Sequence, residues 1–447
     1  MYPHIIKKYD VRLGPNPYVF NISDIKDKKY FRLNKDAADI VTMCDGTKNI
    51  DEIVKELSEL NNKEYSTLFS IVKTFIDSQV FIDYSNEKIE IDKSRWGDFS
   101  IQKISHASID LTEECNFRCK HCYNDSHPGK GIYQDTNKLL KVLDNLYDNG
   151  VAVVELTGGE PLLHPDFKII IDHCLKLFDL VGIITNGFYL NEEILDYLTP
   201  FNEKLTFQVD LHGTKEYMDW FCEKEGAFDK VKNNIALLCE RDFIIRIAMV
   251  MTKLNYTQIP DIVSIIKEMR QHYPSDSYLS ETLTLAVSPF VPQGRGGLNT
   301  ELISFDVSDF DNVNTILNEY AEKYSDFLFK LPQNFVEFLN NNANCGAGSK
   351  SISIGANGRI KLCPMADDSI TFGNLYETKL DDILRKKDFT TYFIDLKPPN
   401  LEVCSECQHI GFCNECVVRG IIKYKEVNDE CIWAIESKLC ENVNLTF

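Results

Sequence analysis

The sequence predicts an α/β chain whose central part is a partial (β/α)6 barrel, preceded by a small strand-and-helix module and followed by a cysteine-rich segment. Three observations predict it. Between about 104 and 340, apolar runs suited to buried parallel strands alternate with amphipathic helical stretches. Short polar, often glycine-bearing motifs follow the first four of those runs directly. Eleven of the fifteen cysteines fall in two groups, three at 115–122 and eight between 345 and 440.

In residues 1–90, Tyr18–Ile22 and Tyr30–Leu33 have strand composition, and Asn34 can cap a helix starting at Lys35 that stops at Asp45-Gly46. A second helix carries Ile53, Val54 and Leu57, and a third Leu68, Ile71, Val72 and Phe75 at helical spacing, before the strand-like Val80–Tyr84. Strands, three helices and a closing strand predict a winged-helix module. The polar stretch Ser85–Lys103, in which Trp96 is isolated, reads as a linker, most clearly over 91–103.

Residues 104–340 hold six strands: His106–Leu111, Val151–Leu156, Leu180–Thr185, Leu205–Leu211, Ile244–Met251 and Leu283–Val287. Leu139, Leu140, Leu143 and Leu146 show the face of one intervening helix, closed by Asn149-Gly150. This is the pattern of a TIM-type partial barrel, in which chemistry gathers at the C-terminal ends of the strands. Residues 341–447, rich in Cys with Gly355, Gly358, Pro364, Pro398 and Pro399, show little long periodicity, so their core is expected to form around metal.

The chain has 447 residues and a formal charge of −20, which excludes a nucleic-acid backbone as the main partner. No signal-like segment and no run of about twenty apolar residues occurs, so the expected location is the cytoplasm, with no membrane partner. There, fifteen cysteines argue for metal or redox chemistry over disulfides. Cys44, Cys174, Cys222 and Cys239 stand alone and read as buried small hydrophobes.

The run Cys115-Asn-Phe-Arg-Cys119-Lys-His-Cys122 follows the first barrel strand. Three thiolates at this spacing can hold three irons of a 4Fe-4S cluster and leave the fourth open to a ligand with amino and carboxylate groups; a zinc site completed by His121 is the alternative. With an aromatic-type ring at position 121, the motif resembles that of the radical S-adenosylmethionine (SAM) superfamily. The resemblance implies that Cys115, Cys119 and Cys122 bind the catalytic cluster and that Tyr123 lies with the cofactor-binding residues. It also implies roles for the segments after the next three strands. In Thr157-Gly-Gly-Glu-Pro161, Gly158 and Gly159 would let the backbone approach and Glu160 would accept from the SAM ammonium. Asn186 of Thr185-Asn-Gly187, with Gln208 and Asp210, would contact the nucleoside. One departure stands out: where relatives carry an arginine for the SAM carboxylate, this chain has Cys222, leaving Lys224 or Arg246 for that role.

The array Cys345, Cys363, Cys404, Cys407, Cys413, Cys416 and Cys431 contains two CxxC units that would suit a zinc ribbon. As a whole it resembles the SPASM extension of radical SAM enzymes that modify peptides. That implies Cys345, Cys363 and Cys416 on one auxiliary 4Fe-4S cluster with an open iron, and Cys404, Cys407, Cys413 and Cys431 on a second, making three clusters in all; Cys440 is unassigned. The N-terminal module lacks a basic recognition helix and resembles the recognition element that binds the leaders of ribosomally made, post-translationally modified peptides (RiPPs). Together these resemble the thioether-forming sactipeptide and ranthipeptide synthases. The expected partners are a precursor peptide and an electron donor such as flavodoxin or ferredoxin. Rival readings are C–C cross-linking or epimerisation of a peptide, a sulfatase maturase, for which Pro364 and Met365 stand where an aspartate would follow Cys363, and a non-catalytic zinc-bearing peptide binder.

Overall fold

In the computed structural model of the chain, residues 1–22, 30–272, 283–303, 309–325, 346–366, 371–385, 392, 396–413, 416–427 and 430–442 are described. They form two compact units. Cys345 lies outside the described residues, and so does the side chain of Cys440.

The first unit comprises Met1–Ser105 and Leu146–Ala152. Strands β1 (Tyr2–Ile5) and β5 (Ile82–Ser85) pair antiparallel, and β2 (Tyr9–Arg12), β3 (Tyr18–Asn21) and β4 (Tyr30–Arg32) form an antiparallel meander. Three helices lie between β4 and β5: α1 (Lys35–Met43), α2 (Ile50–Asn61) and α3 (Tyr65–Ser78). Asn34 caps α1 by accepting from the Ala37 amide, and Asn49 with Glu52 closes a capping box on α2. The first two strands are too short, and too interrupted by charge, to show an alternation.

Two expectations are corrected here. Trp96 is only 3% exposed and packs with Val11, Leu13 and Phe81, while its carbonyl accepts from the Leu13 amide at 2.7 Å. The stretch around it is therefore part of the unit's core and not a free linker; a single large aromatic ring anchors a segment whose other residues are polar. On α3 the buried stripe is Leu68, Val72 and Ile76, whereas Ile71 is 55% exposed, because the helix buries a face narrower than its apolar residues would allow.

The second unit comprises His106–Asn145 and Val153–Phe447. Its six parallel strands are β6 (His106–Thr112), β7 (Val153–Gly158), β8 (Leu180–Thr185), β9 (Leu205–Asp210), β10 (Ile244–Met251) and β11 (Leu283–Pro289), lying side by side in sequence order. Helices α4 (Thr136–Asp148), α5 (Phe167–Leu177), α6 (Glu192–Leu198), α7 (Lys215–Cys222), α8 (Ala227–Glu240) and α9 (Ile259–His272) connect them.

The sheet does not end at β6. Strand β12 (Ser351–Ile354) pairs parallel with it, and β13 (Arg359–Lys361) and β14 (Thr371–Asn374) follow antiparallel, giving nine strands in one sheet. The C-terminal segment thus covers the edge that an open barrel would leave unpaired. Short helices at Leu401–Cys404, Ile410–Cys413, Val417–Val427, Ile432–Glu436 and Leu439–Asn442 follow; Cys404, Cys413 and Cys440 lie in them, and Cys416 and Cys431 directly precede two of them.

Candidate active site

Cys115, Cys119 and Cys122 sit on the loop after β6, and the motifs singled out in the sequence come together around it. Gly158 ends β7 at φ +126°, and a Cβ on Gly159 would lie 2.1 Å from the Glu114 carbonyl oxygen, so only glycine lets these two backbones meet. The contact is closed by the Gly159 amide donating to Thr112 and the Glu160 amide to Glu114, at 2.6 and 2.8 Å.

Glu160 is fully buried. Its carboxylate accepts from Thr185 Oγ1 at 2.8 Å, from the Asn186 amide at 2.9 Å and from the Leu162 amide at 3.2 Å. Burial pushes its pKa up to about 7 against those hydrogen bonds. Asp210 is pushed to about 7 as well, by burial and then by the nearby Glu160 charge. Asn186 Nδ2 donates to Asn116 Oδ1 at 2.8 Å and reaches Cys115 Sγ at 3.7 Å, tying the third strand's loop to the first.

Gln208 and Asp210 alternate along β9, and the register sets Arg246 of β10 beside Gln208 and Ala248 beside Asp210. Arg246 also pairs in register with Thr284 of β11. Lys224, the other candidate cation, lies with its ammonium 5.2 Å from the Phe188 ring centre.

Burial first, then the charges of Asp110, Cys122, Cys363 and Asp210, push the Tyr123 phenol well up. Those charges come from both the cysteine loop and the C-terminal segment. Lys361 of β13 forms a buried ion pair with Asp110 of β6 at 3.1 Å. His121 stacks on Phe221 with centroids 4.6 Å apart, and His212 meets both rings edge-on. Burial drives both imidazoles to the neutral form, His212 to a pKa of about 3.

The loop's chemistry fits an iron–sulfur cluster and a bound amino acid moiety. Burial and then the neighbouring Cys119 charge raise the Cys115 thiol; burial and Cys119 likewise raise Cys122, a repulsion that iron would remove. Asn116 Nδ2, His121 Nδ1, Asn124 Nδ2 and Ser126 Oγ are buried beside these thiols without a protein hydrogen-bond partner, and sulfide or ligand atoms would supply one.

One residue of this site escaped the sequence reading. Arg295, after β11, is 6% exposed; its guanidinium donates to the Cys119 carbonyl at 2.9 Å, to Asp125 Oδ1 at 2.8 Å and to the Ser126 carbonyl at 2.6 Å. Its amide also donates to the Cys122 carbonyl at 3.0 Å. Gly294 precedes it at φ +52°, where a Cβ would lie 2.3 Å from the Tyr123 carbonyl oxygen. The run Gly294-Arg-Gly-Gly297 after the sixth strand was the available signal.

In the C-terminal segment, Cys404, Cys407, Cys413 and Cys431 are near enough to act on one another electrostatically. Burial first and then Cys407 and Cys431 raise Cys404; burial, with Cys431 and Cys407 contributing, raises Cys413 to about 12. Cys363 and Cys416 belong to the same apolar cluster, around Leu362, Val417 and Trp433. Cys416 Sγ accepts from the Arg419 amide at 3.5 Å.

Comparison with known proteins finds two domain families on this chain. The radical SAM superfamily matches residues 109–266, and the SPASM iron–sulfur cluster-binding domain matches residues 345–408. The chain is similar to AlbA of Bacillus subtilis, an antilisterial bacteriocin subtilosin biosynthesis protein, at 25% identity over 100% of this chain and 99% of that one. It is also similar to the sporulation killing factor maturation protein SkfB of the same organism, at 23% identity over 83% of this chain and 86% of the other. In fold it is similar to Streptococcus suis SuiB, with a TM-score of 0.62 at 16% identity over 94% of this chain and 96% of that one. The chain carries a radical SAM domain followed by a SPASM iron–sulfur cluster-binding domain.

Proposed function

We propose that the chain joins a cysteine sulfur to a carbon of its precursor peptide, forming a thioether. The observation that carries this is the buried ion pair of Lys361 and Asp110 at 3.1 Å, with β12 paired to β6: it ties the hairpin that leads to Cys363 to the strand that leads to Cys115. The two bacterial relatives named for bacteriocin and killing-factor maturation support the same class of substrate.

In this reading Cys115, Cys119 and Cys122 hold the SAM-cleaving cluster. Cys345, Cys363 and Cys416 hold one auxiliary cluster, and Cys404, Cys407, Cys413 and Cys431 a second. When bound, SAM and a reduced cluster would supply the radical that takes a hydrogen atom from the peptide carbon, and an auxiliary cluster would accept the surplus electron as the cysteine sulfur, its proton lost to solvent, bonds to that carbon. Glu160, with its buried carboxylate oriented by Thr185 and Asn186, receives the SAM ammonium, and Gln208, Asp210 and Asn186 face the nucleoside. Arg246 takes the carboxylate, because Cys222 cannot and Lys224 lies over an aromatic ring. Tyr123 packs against the bound cofactor.

The first unit binds the leader, which raises the local concentration of the segment to be modified. The electron comes from a small carrier such as flavodoxin or ferredoxin, in the cytoplasm. Among the described residues no helix is long and apolar enough to cross a membrane.

Anaerobic reconstitution should give about twelve irons per chain. Incubation with SAM, reductant and a cysteine-bearing precursor should then give a dehydrogenated peptide whose acceptor cysteine no longer alkylates. A modified peptide with every cysteine still alkylatable would replace thioether formation by C–C linkage or epimerisation.

A further inference from the structure

His212, just after β9, is fixed by its backbone and by one ring nitrogen, and its other ring nitrogen is left over. The residue is 1% exposed. Its carbonyl accepts from Asn255 Nδ2 at 2.6 Å, and the same nitrogen donates to the Val250 carbonyl at 2.9 Å, which ties the ends of β9 and β10 together. The ring stands edge-on to His121 and Phe221, with centroids 4.7 and 5.2 Å away. Its Nδ1 accepts from the Val250 amide at 3.2 Å and so carries no proton. Burial keeps the ring neutral, and its one proton is therefore on Nε2. Among the described residues nothing accepts from that N–H. Asp210 Oδ2 is 3.9 Å away, beyond hydrogen-bond reach.

We propose that His212 is a binding residue for SAM, and that its Nε2–H and the Asp210 carboxylate share one hydroxyl of the SAM ribose. This rests on the reading that SAM occupies the site at the end of β9. A buried N–H without a partner costs more than a typical hydrogen bond contributes, so a donor fixed this firmly calls for a ligand atom. The two protein groups ask for different things: Nε2 offers a proton, and the carboxylate takes one. A hydroxyl answers both at once, which neither the carboxylate nor the ammonium of SAM can do. A gap of 3.9 Å between the two protein atoms admits an oxygen at about 2.8 Å from each. Being neutral, the imidazole adds no charge beside the cysteine loop, and its two aromatic neighbours fix the direction in which it donates.

The test is anaerobic equilibrium dialysis of the reconstituted, unreduced enzyme with SAM and with its 2′-deoxy and 3′-deoxy ribose analogues, so that affinity is read without turnover. Wild-type protein should bind one of the two analogues about tenfold more weakly than SAM. His212→Phe keeps a ring beside His121 and Phe221 but has no donor. It should bind SAM about fivefold more weakly, and its penalty for the same analogue should shrink by a similar factor. Should His212→Phe fail to retain iron, His212→Asn decides by the same criterion: its side-chain oxygen can still accept from the Val250 amide, but it stops short of the Nε2 position. Equal wild-type affinity for SAM and both analogues would mean that only a buried water answers Nε2, and overturns the proposal. A penalty undiminished in the variant overturns it too. Wild-type protein that binds no SAM overturns the functional reading and this inference with it.

Discussion

The two groups of cysteines are held by different means. The barrel loop is pinned by the protein itself: Arg295 clasps the carbonyls of Cys119 and Ser126, Asn186 and Asn116 bridge two strand ends, and the Gly158-Gly159 crossing locks the loop against β7. In the C-terminal segment, Cys404 and Cys413 end four-residue helices and Cys431 caps a five-residue one, and these elements are too short to be stable alone. We expect the barrel-loop site to be formed before its metal arrives and the site on short helices to depend on its metal to fold.

The widest separation between them comes from removing iron. Chelation under reducing conditions should make residues 396–442 readily cleaved by protease while the barrel's strands stay protected; equal protection of both regions would show that the second group does not need its metal. In the same spirit, replacing Cys115, Cys119 and Cys122 together with alanine should abolish 5′-deoxyadenosine formation yet leave the barrel folded and precursor binding intact.

Next is the ion pair joining the regions. Lys361→Met leaves the Asp110 carboxylate buried and should cost about 3–5 kcal/mol in urea unfolding. A cost near zero would mean that the C-terminal hairpin is held to β6 by its backbone ladder alone. Arg295→Met removes three hydrogen bonds from the cysteine loop and should cost about 3 kcal/mol. Its iron content per chain after reconstitution should fall below that of the unaltered protein.

The smallest effect is on pH. Glu160 has a folded pKa raised to about 7, chiefly by burial. A raised carboxyl contributes stability that is full below its unfolded pKa, near 4.3, and is lost as pH rises through the folded value, so the SAM-free protein should weaken between about pH 4.5 and 7. SAM binding needs the carboxylate and should run the other way, weakening by up to about tenfold per unit below pH 7. A SAM affinity flat from pH 5.5 to 8 would remove Glu160 from that role.

Much of the barrel could be read in advance because its signals are local. An apolar run followed by a glycine-bearing turn marks a strand and its active end, and β8 and β10 begin and end where the composition changes. Arg295 was harder to see: it lies 173 residues after Cys122, and no periodicity connects it to the loop. Trp96 was misjudged for a related reason. Its polar neighbours describe a linker, and only the distant Leu13 amide and Phe81 ring give it a place.

By itself the sequence determined the thiol spacings, the order of strands and the residue types at each strand end, since these depend on neighbours within a few positions. Tertiary structure decided which distant groups meet. It set β12 on the edge of the barrel, Lys361 against Asp110, and Arg295 against the Cys119 carbonyl. Buried polar groups must find partners, and in a folded chain those partners are chosen by proximity in space across hundreds of residues. A lone lysine in a strand or a lone arginine after one acquires its chemistry only there.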